Sequence, residues 1–417
     1  MTTQIFKDAR KATFLNQEGA DKPLKSPIAD SVVEAARAYR MGRLRQKMAE
    51  HDCAAMLLYD PINIRYAFEV SNMQVWTAHN AVRYALLLAD GPSVMFETTA
   101  GMPLWEGVDA VDELRVATPW LYMTAGGRAD EFLNRWADEI TDLVRTHGGG
   151  NKRIAIDKCE PPGAFALKER GLDIQDGLEL TERARSIKSA DEIALMRWTV
   201  RVCEAAMARI YENSVPGRTE QELWAEMSYE NARSGGEWLE TRLLACGANT
   251  NPWYHECDDT VCQLGEMISL DTDLIGPYGY CADLSRSWTC GYTPMTNSQR
   301  RMYGQALEQV THNTALLRPG MSFAEYNEKS WRIPQASQAY SYGLALHGVG
   351  MADEWPCVYL HHINEESGYE GTFEEGMVVC VESLMAEEGT ESIKLETQVL
   401  ITADGPERLD SFPWEEV

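Results

Sequence analysis

From Val32 to Glu50 the apolar positions recur at helical spacing, and the run leads into Ala54-Ala-Met-Leu-Leu-Tyr59, a continuous apolar stretch of strand length. Asp60-Pro61 reads as a turn after it. Tyr84-Ala-Leu-Leu-Leu88 and Ser93-Val-Met-Phe96 predict two further strands, divided by the hairpin-type break Asp90-Gly91-Pro92. A helix near Asp130 to His147 and a strand at Arg153-Ile-Ala-Ile156 follow. Strands mixed with helices predict an α/β first domain over residues 31–182. Residues 1–30 mix Lys, Asp, Gln, Gly and Pro without periodicity and predict an arm rather than a domain.

The texture changes over residues 183–417. Ser189-Ala-Asp-Glu192 is a capping box, in which the Ser and Glu side chains satisfy free backbone donors ahead of the apolar-periodic run Ile193 to Tyr211. Thr219-Glu-Gln-Glu222 repeats the signal for the next helix. Beyond residue 240 come short β-like runs: Leu243-Leu-Ala-Cys246, Met267-Ile-Ser-Leu270, Tyr278 to Trp288, Met377 to Val381 and Ser392 to Leu400. The second domain is expected to lay helices over a curved, largely antiparallel sheet, making the whole chain α+β.

Composition narrows the partners. With 417 residues, 44% of them hydrophobic, the chain is long enough for two cores. Its 38 Lys and Arg stand against 64 Asp and Glu, a formal net charge of -26, which argues against nucleic acid or an anionic membrane as partner. The amino terminus lacks the apolar stretch of a secretory signal, and no run of about 18 apolar residues occurs, so a soluble, cytoplasmic protein is expected. Ten cysteines without a C-x-x-C pair are expected to be reduced thiols.

Five acids stand where strands look buried. Asp271-Thr-Asp273 continues Met-Ile-Ser-Leu270, Asp283 sits inside Tyr280-Cys-Ala-Asp-Leu-Ser-Arg286, Glu382 follows Met377-Val-Val-Cys-Val381, and Glu396 lies within Ser392 to Leu400. A carboxylate buried there costs several kcal/mol unless a cation neutralises it. Lys394 and Arg286 are available to pair with some of them, but one shared metal ion serves several acids together. His347, in Leu346-His-Gly-Val-Gly350, adds a nitrogen ligand. Oxygen-rich sites with one His suit manganese, iron, cobalt or zinc better than calcium.

The order Asp, Asp, His, Glu, Glu resembles the pita-bread metalloenzymes: methionine aminopeptidases, prolidases, Xaa-Pro aminopeptidases, creatinase and the DddP-type dimethylsulfoniopropionate lyases. Thr181-Glu-Arg-Ala-Arg-Ser-Ile-Lys188, Tyr280 to Trp288, His347-Gly-Val-Gly350 and Glu375-Gly-Met-Val extend the resemblance in the right order. It implies a creatinase-like first domain, a pita-bread second domain, and one or two divalent metal ions held by Asp271, Asp273, Asp283, His347, Glu382 and Glu396. Peptidases of this family carry a further His seven residues after the metal His; here that position is Glu354. They also place their first two ligands eleven positions apart, whereas Asp271 and Asp273 stand twelve and ten before Asp283. Both departures resemble the DddP-type lyases, as do Glu237-Trp-Leu-Glu-Thr-Arg, Asp353-Glu-Trp-Pro and Ser392-Ile-Lys-Leu-Glu.

That likeness implies a small-molecule substrate, iron as the metal, a homodimer, Asp353 as base and Tyr342 as an assisting hydroxyl. A sulfonium also needs aromatic faces, which Trp76, Trp253, Tyr254 and Trp355 offer. His255 points the other way, because it stands where the peptidases carry a substrate-binding His. An Xaa-Pro dipeptidase or aminopeptidase, or another creatinase-like hydrolase, is the alternative.

Overall fold

The computed structural model describes residues 22–416. The chain divides into two compact units, Ala29–Arg185 and a second that joins the segment before Ala29 to Ser186–Val417. Most of the expected arm, residues 1–21, lies outside the described residues. Its described end is tied to the second unit: the Leu24 N–H donates to Ser234 Oγ at 3.2 Å, and the Ser26 and Tyr278 hydroxyls share a bond of 2.6 Å.

In the first unit, helix α1 (Asp30–Glu50) leads into a six-stranded sheet of β1 (Ala55–Leu58), β2 (Tyr84–Leu88), β3 (Ser93–Glu97), β4 (Glu113–Val116), β5 (Arg153–Ile156) and β6 (Asp173–Asp176). The strand order is β4-β3-β2-β1-β5-β6, with β1 antiparallel to β2 and parallel to β5. Strands β1, β2 and β3 are buried at every position, which is why β1 and β2 read as unbroken apolar runs instead of alternating, and why Glu97 at the end of β3 is paired with Arg83. Asp60-Pro61 is more than a turn: Asp60 caps helix α2 (Pro61–Phe68) by accepting the Ile62 N–H, and Pro61 at its first position presets the helical φ. Helix α3 (Gln74–His79) follows, and α4 (Ala129–His147) buries Trp136 in the core of this unit.

In the second unit, α5 (Ala190–Asn213) and α6 (Glu220–Arg233) both start in the reciprocal capping boxes read from Ser189/Glu192 and Thr219/Glu222. Short strands β7 (Trp238–Leu239), β8 (Leu244–Cys246), β9 (Met267–Leu270), β10 (Leu274–Ile275), β11 (Cys281–Ala282) and β12 (Arg286–Thr289) form two antiparallel sheets, β11-β10-β7 and β12-β9-β8. After α7 (Asn297–Leu316) come β13 (Leu344–Val349), β14 (Asp353–Tyr359), β15 (Val378–Met385), β16 (Ile393–Thr402) and β17 (Gly405–Arg408), an antiparallel sheet ordered β14-β13-β15-β16-β17.

Alternation along β15 and β16 divides the unit's interior. Val379, Val381, Leu395 and Val399 pack with Met302, Ala306 and Val310 of α7, while Cys380, Glu382, Lys394 and Glu396 take the other face. Register sets Glu382 directly opposite Glu396, and His347 opposite Cys380. Like charges opposed across a ladder destabilise it, so the second face requires a cation.

Candidate metal centre

The six residues read as ligands converge from separate segments of the second unit. Asp271 and Asp273 stand between β9 and β10, Asp283 just after β11, His347 on β13, Glu382 on β15 and Glu396 on β16. Asp273 has φ of 34°, a left-handed conformation that Asp tolerates better than most residues. His347 Nε2 lies 3.3 Å from Asp283 Oδ2, 3.4 Å from Glu396 Oε1 and 3.9 Å from Glu382 Oε1. Asp271, Asp273, Asp283, His347 and Glu382 line a cavity of about 270 Å³, and Glu396 is fully buried beside it.

Hydrogen bonding tests whether this set fits a metal. The Gly348 carbonyl 3.0 Å from His347 Nδ1 can only accept, so the neutral ring carries its proton on Nδ1 and presents a bare lone pair at Nε2. That lone pair faces three carboxylates. Asp283 Oδ1, Glu382 Oε1 and Glu396 Oε1 are buried without a hydrogen-bond partner among the described residues. A cation between these oxygens and Nε2 resolves both deficits, and the donor set fits one. The electrostatics agree. Burial, with neighbouring carboxylate charges adding to it, pushes Asp273 and Asp283 well above the ordinary carboxylate range. Burial alone would lower the His347 imidazole, but Asp283, Asp353, Glu396 and Glu382 outweigh it and push it well above its ordinary value. Without another cation the ring therefore takes up a proton at Nε2 and is itself the cation these acids draw in; the bare lone pair belongs to the metal-bound form.

Lys394 holds the outer side of the same carboxylates. Its ammonium lies 3.1 Å from Asp271 Oδ2, 2.9 Å from Glu382 Oε2 and 2.9 Å from Glu396 Oε2, which engages all three of its donors. Both glutamates thus have one oxygen fixed by Lys394 and the other left toward His347. Ser285 Oγ sits 2.6 Å from Asp271 Oδ1 and 2.7 Å from Glu396 Oε2, and with one proton it serves one carboxylate at a time. Asp283, His347, Cys380 and Glu396 each bring a donor atom within 4.8 Å of the others, so Cys380 lines the centre although sequence reasoning did not single it out. The signal was present: Cys380 and Lys394 stand two positions before Glu382 and Glu396 and therefore share their faces.

The remaining predicted residues divide. Asp353, the first residue of β14, lines the cavity with its side chain 57% exposed and Oδ1 3.8 Å from His347 Nδ1. Tyr342 also lines it, with Lys394 Nζ 5.1 Å from its ring centre; the Glu382 charge and burial push its hydroxyl far above the ordinary range, so it stays protonated. Tyr254 packs its ring 5.6 Å from that of Tyr342 and completes this wall. Trp253 is buried with Leu243 and Leu384 behind it. His255 is exposed and lies 3.0 Å from Asp258 instead of lining the cavity. Trp355 packs 5.7 Å from Phe323 against the core, and Trp76 is a half-exposed residue of α3 in the first unit.

Residues 194–403 match metallopeptidase family M24, and residues 40–187 match the creatinase/prolidase N-terminal domain. The dimethylsulfoniopropionate lyase DddP of Roseovarius nubinhibens is 41% identical over 389 residues, 92% of this chain and 87% of that protein. The protein of the same description from Roseobacter denitrificans is 40% identical, over 91% of this chain and 87% of its own length. Among solved structures, the prolidase from Pyrococcus horikoshii matches with a TM-score of 0.71 over 91% of this chain and 99% of its own, at 18% identity. An Xaa-Pro dipeptidase from Bacillus anthracis gives 0.70 at 18% identity over the same shares. At that identity the structures speak for the fold alone.

Proposed function

The chain belongs to metallopeptidase family M24, with the creatinase/prolidase N-terminal domain ahead of the M24 domain, and from that premise we propose that it is a metal-dependent carbon–sulfur lyase cleaving dimethylsulfoniopropionate to dimethyl sulfide and acrylate. The observation that carries this reading is the likeness to two dimethylsulfoniopropionate lyases through most of the length of both partners.

In this reading Asp271, Asp273, Asp283, His347, Glu382 and Glu396 hold one or two divalent ions. Iron is our assignment by resemblance, with manganese, zinc and cobalt as alternatives. When bound, such an ion draws electron density from the substrate carboxylate and so acidifies its α-proton. The chain supplies the rest. The Asp353 carboxylate, at the cavity mouth, accepts the α-proton. The electron pair left on the α-carbon forms the double bond to the β-carbon, the bond from β-carbon to sulfur breaks, and dimethyl sulfide departs with the electrons of that broken bond, leaving acrylate. Tyr342 keeps its proton and donates a hydrogen bond, orienting the substrate. The Tyr254 and Tyr342 rings offer π-faces to the sulfonium, with Trp253 supporting them. We further take the protein to be a cytoplasmic homodimer.

The test is direct. Protein reloaded with metal is incubated with dimethylsulfoniopropionate and the headspace assayed for dimethyl sulfide, beside Gly-Pro and Ala-Pro hydrolysis assays. We expect sulfide release and no peptide cleavage; dipeptide hydrolysis without sulfide would overturn the lyase in favour of an Xaa-Pro peptidase.

A further inference from the structure

We propose that a buried ion pair behind the cavity, Lys188 with Glu354, positions the Asp353 carboxylate and thereby sets the turnover rate. The proposal rests on the lyase reading for the identity of the reaction, and its geometry stands apart from that reading.

Glu354 follows Asp353 on β14, and alternation sends the two side chains to opposite faces. Asp353 reaches the cavity mouth, while Glu354 is 4% exposed. Its two oxygens hold two segments: Oε1 accepts the Met351 N–H at 3.0 Å, and Oε2 lies 3.0 Å from Lys188 Nζ. The turn between β13 and β14 is closed by the Gly350 N–H donating to the Ala352 carbonyl at 3.0 Å. A Cβ on Gly350 would come within 2.5 Å of Glu354 Oε2, so this glycine leaves the space the carboxylate fills. The Gly350 carbonyl accepts the Cys281 N–H at 2.7 Å, joining the turn to the strand that precedes Asp283. Lys188 is itself anchored: its N–H donates to the Gly376 carbonyl at 2.9 Å, and its neighbour Ile187 bridges Met377 just ahead of β15. One charge pair therefore connects the segment entering the Glu382 strand to the turn that presents Asp353.

Burying such a pair adds little to stability, since well-packed apolar replacements of a buried ion pair are often neutral or better. What a fixed pair supplies is geometry. A base misplaced by about 1 Å loses on the order of 10²-fold in rate. Related peptidases, by the resemblance described above, carry a histidine at the Glu354 position; this chain has turned that position away from the cavity and used it to hold the preceding residue.

The experiment uses the full-length, metal-loaded protein in three forms: wild type, Glu354→Gln, and the double variant Lys188→Met/Glu354→Leu, which leaves neither charge buried alone. We expect the double variant to lose about 10²-fold in kcat with dimethylsulfoniopropionate, with KM and metal per chain unchanged. Glu354→Gln keeps one acceptor for two donors and is expected to lose about tenfold in kcat. Wild-type kcat in a folded double variant overturns the proposal. So does a loss of metal in parallel with activity, which would make the pair merely structural. Should the double variant not fold, Glu354→Gln decides: unchanged kcat sinks the idea. A wild type that releases no sulfide refutes the lyase reading instead, and hydrogen exchange at the Met351 amide then tests the pair. Local exchange at least about tenfold faster in Glu354→Gln, without global change, supports it; equal exchange overturns it.

Discussion

Asp353 stands at the mouth of the cavity, and among the described residues the nearby His347 ring is the ionisable group it pairs with. Replacing it with Asn keeps shape and removes the proton acceptor. Asp353→Asn is expected to lower kcat by about 10²–10⁴-fold while metal per chain, measured by elemental analysis, stays at the wild-type value. Loss of metal instead would make Asp353 a ligand, since it shares a group of close donors with Asp273 and Asp283. The convergence of the candidate ligand acids was legible because each interrupts or ends an apolar strand, where an unpaired charge has no ordinary reason to stand. Tyr254 and His255 show where that legibility stops. They are neighbours in a loop, Tyr254 has φ of 74°, and no periodicity tells which of two adjacent loop side chains turns inward. The Lys188–Glu354 pair joins residues 166 positions apart, and only the folded sheet brings them together.

At the scale of elements, helix caps carried the clearest signals, and α5 tests one of them. Glu192 Oε2 accepts the Ser189 N–H, and its Oε1 accepts the Tyr280 hydroxyl at 3.0 Å. Ser189→Ala should cost about 1 kcal/mol of stability in urea unfolding; no change would mean that solvent replaces the cap. The two-residue strands β7, β10 and β11 were not readable, because such pieces are defined by their ladder partners and not by a pattern of their own. The segment after β17 is pinned by charge. Asp410 Oδ1 accepts from Arg286 at 2.6 Å and from Arg408 at 2.7 Å, and the Arg286 guanidinium also lies 3.7 Å over the Trp414 ring. Asp410→Asn leaves Arg286 buried without its counter-charge and should cost about 3–5 kcal/mol at neutral pH, seen as a fall in Tm. Burial alone would raise the Asp410 carboxyl, but Arg286, Arg408 and the Thr397 hydroxyl outweigh it and hold it below its ordinary value. A depressed folded pKa gives stability that is present above the unfolded value and lost as pH falls through the folded one. The wild type should therefore lose its advantage over the variant below about pH 4, and a stability difference that persisted unchanged into that range would refute the assignment.

For the molecule as a whole, the prediction concerns the metal. An ion that binds the folded chain and not the unfolded one stabilises it by about 4 kcal/mol at a thousandfold excess over its Kd. Chelation should lower Tm, and iron or manganese should restore it; a Tm indifferent to chelator, in protein shown by elemental analysis to have lost its metal, would remove the ion from the stability of the fold. Among the described residues no helix is long and apolar enough to cross a membrane. The ladder of β15 and β16 has one more consequence, which belongs to the birth of the chain. On the ribosome, the acids at 271, 273 and 283 emerge first and wait as a partial set, while Glu396 follows more than a hundred residues later. A nascent chain halted short of β16 lacks Glu396, so on the proposed ligand set it presents an incomplete group of donors and full metal capture waits until that strand has been made.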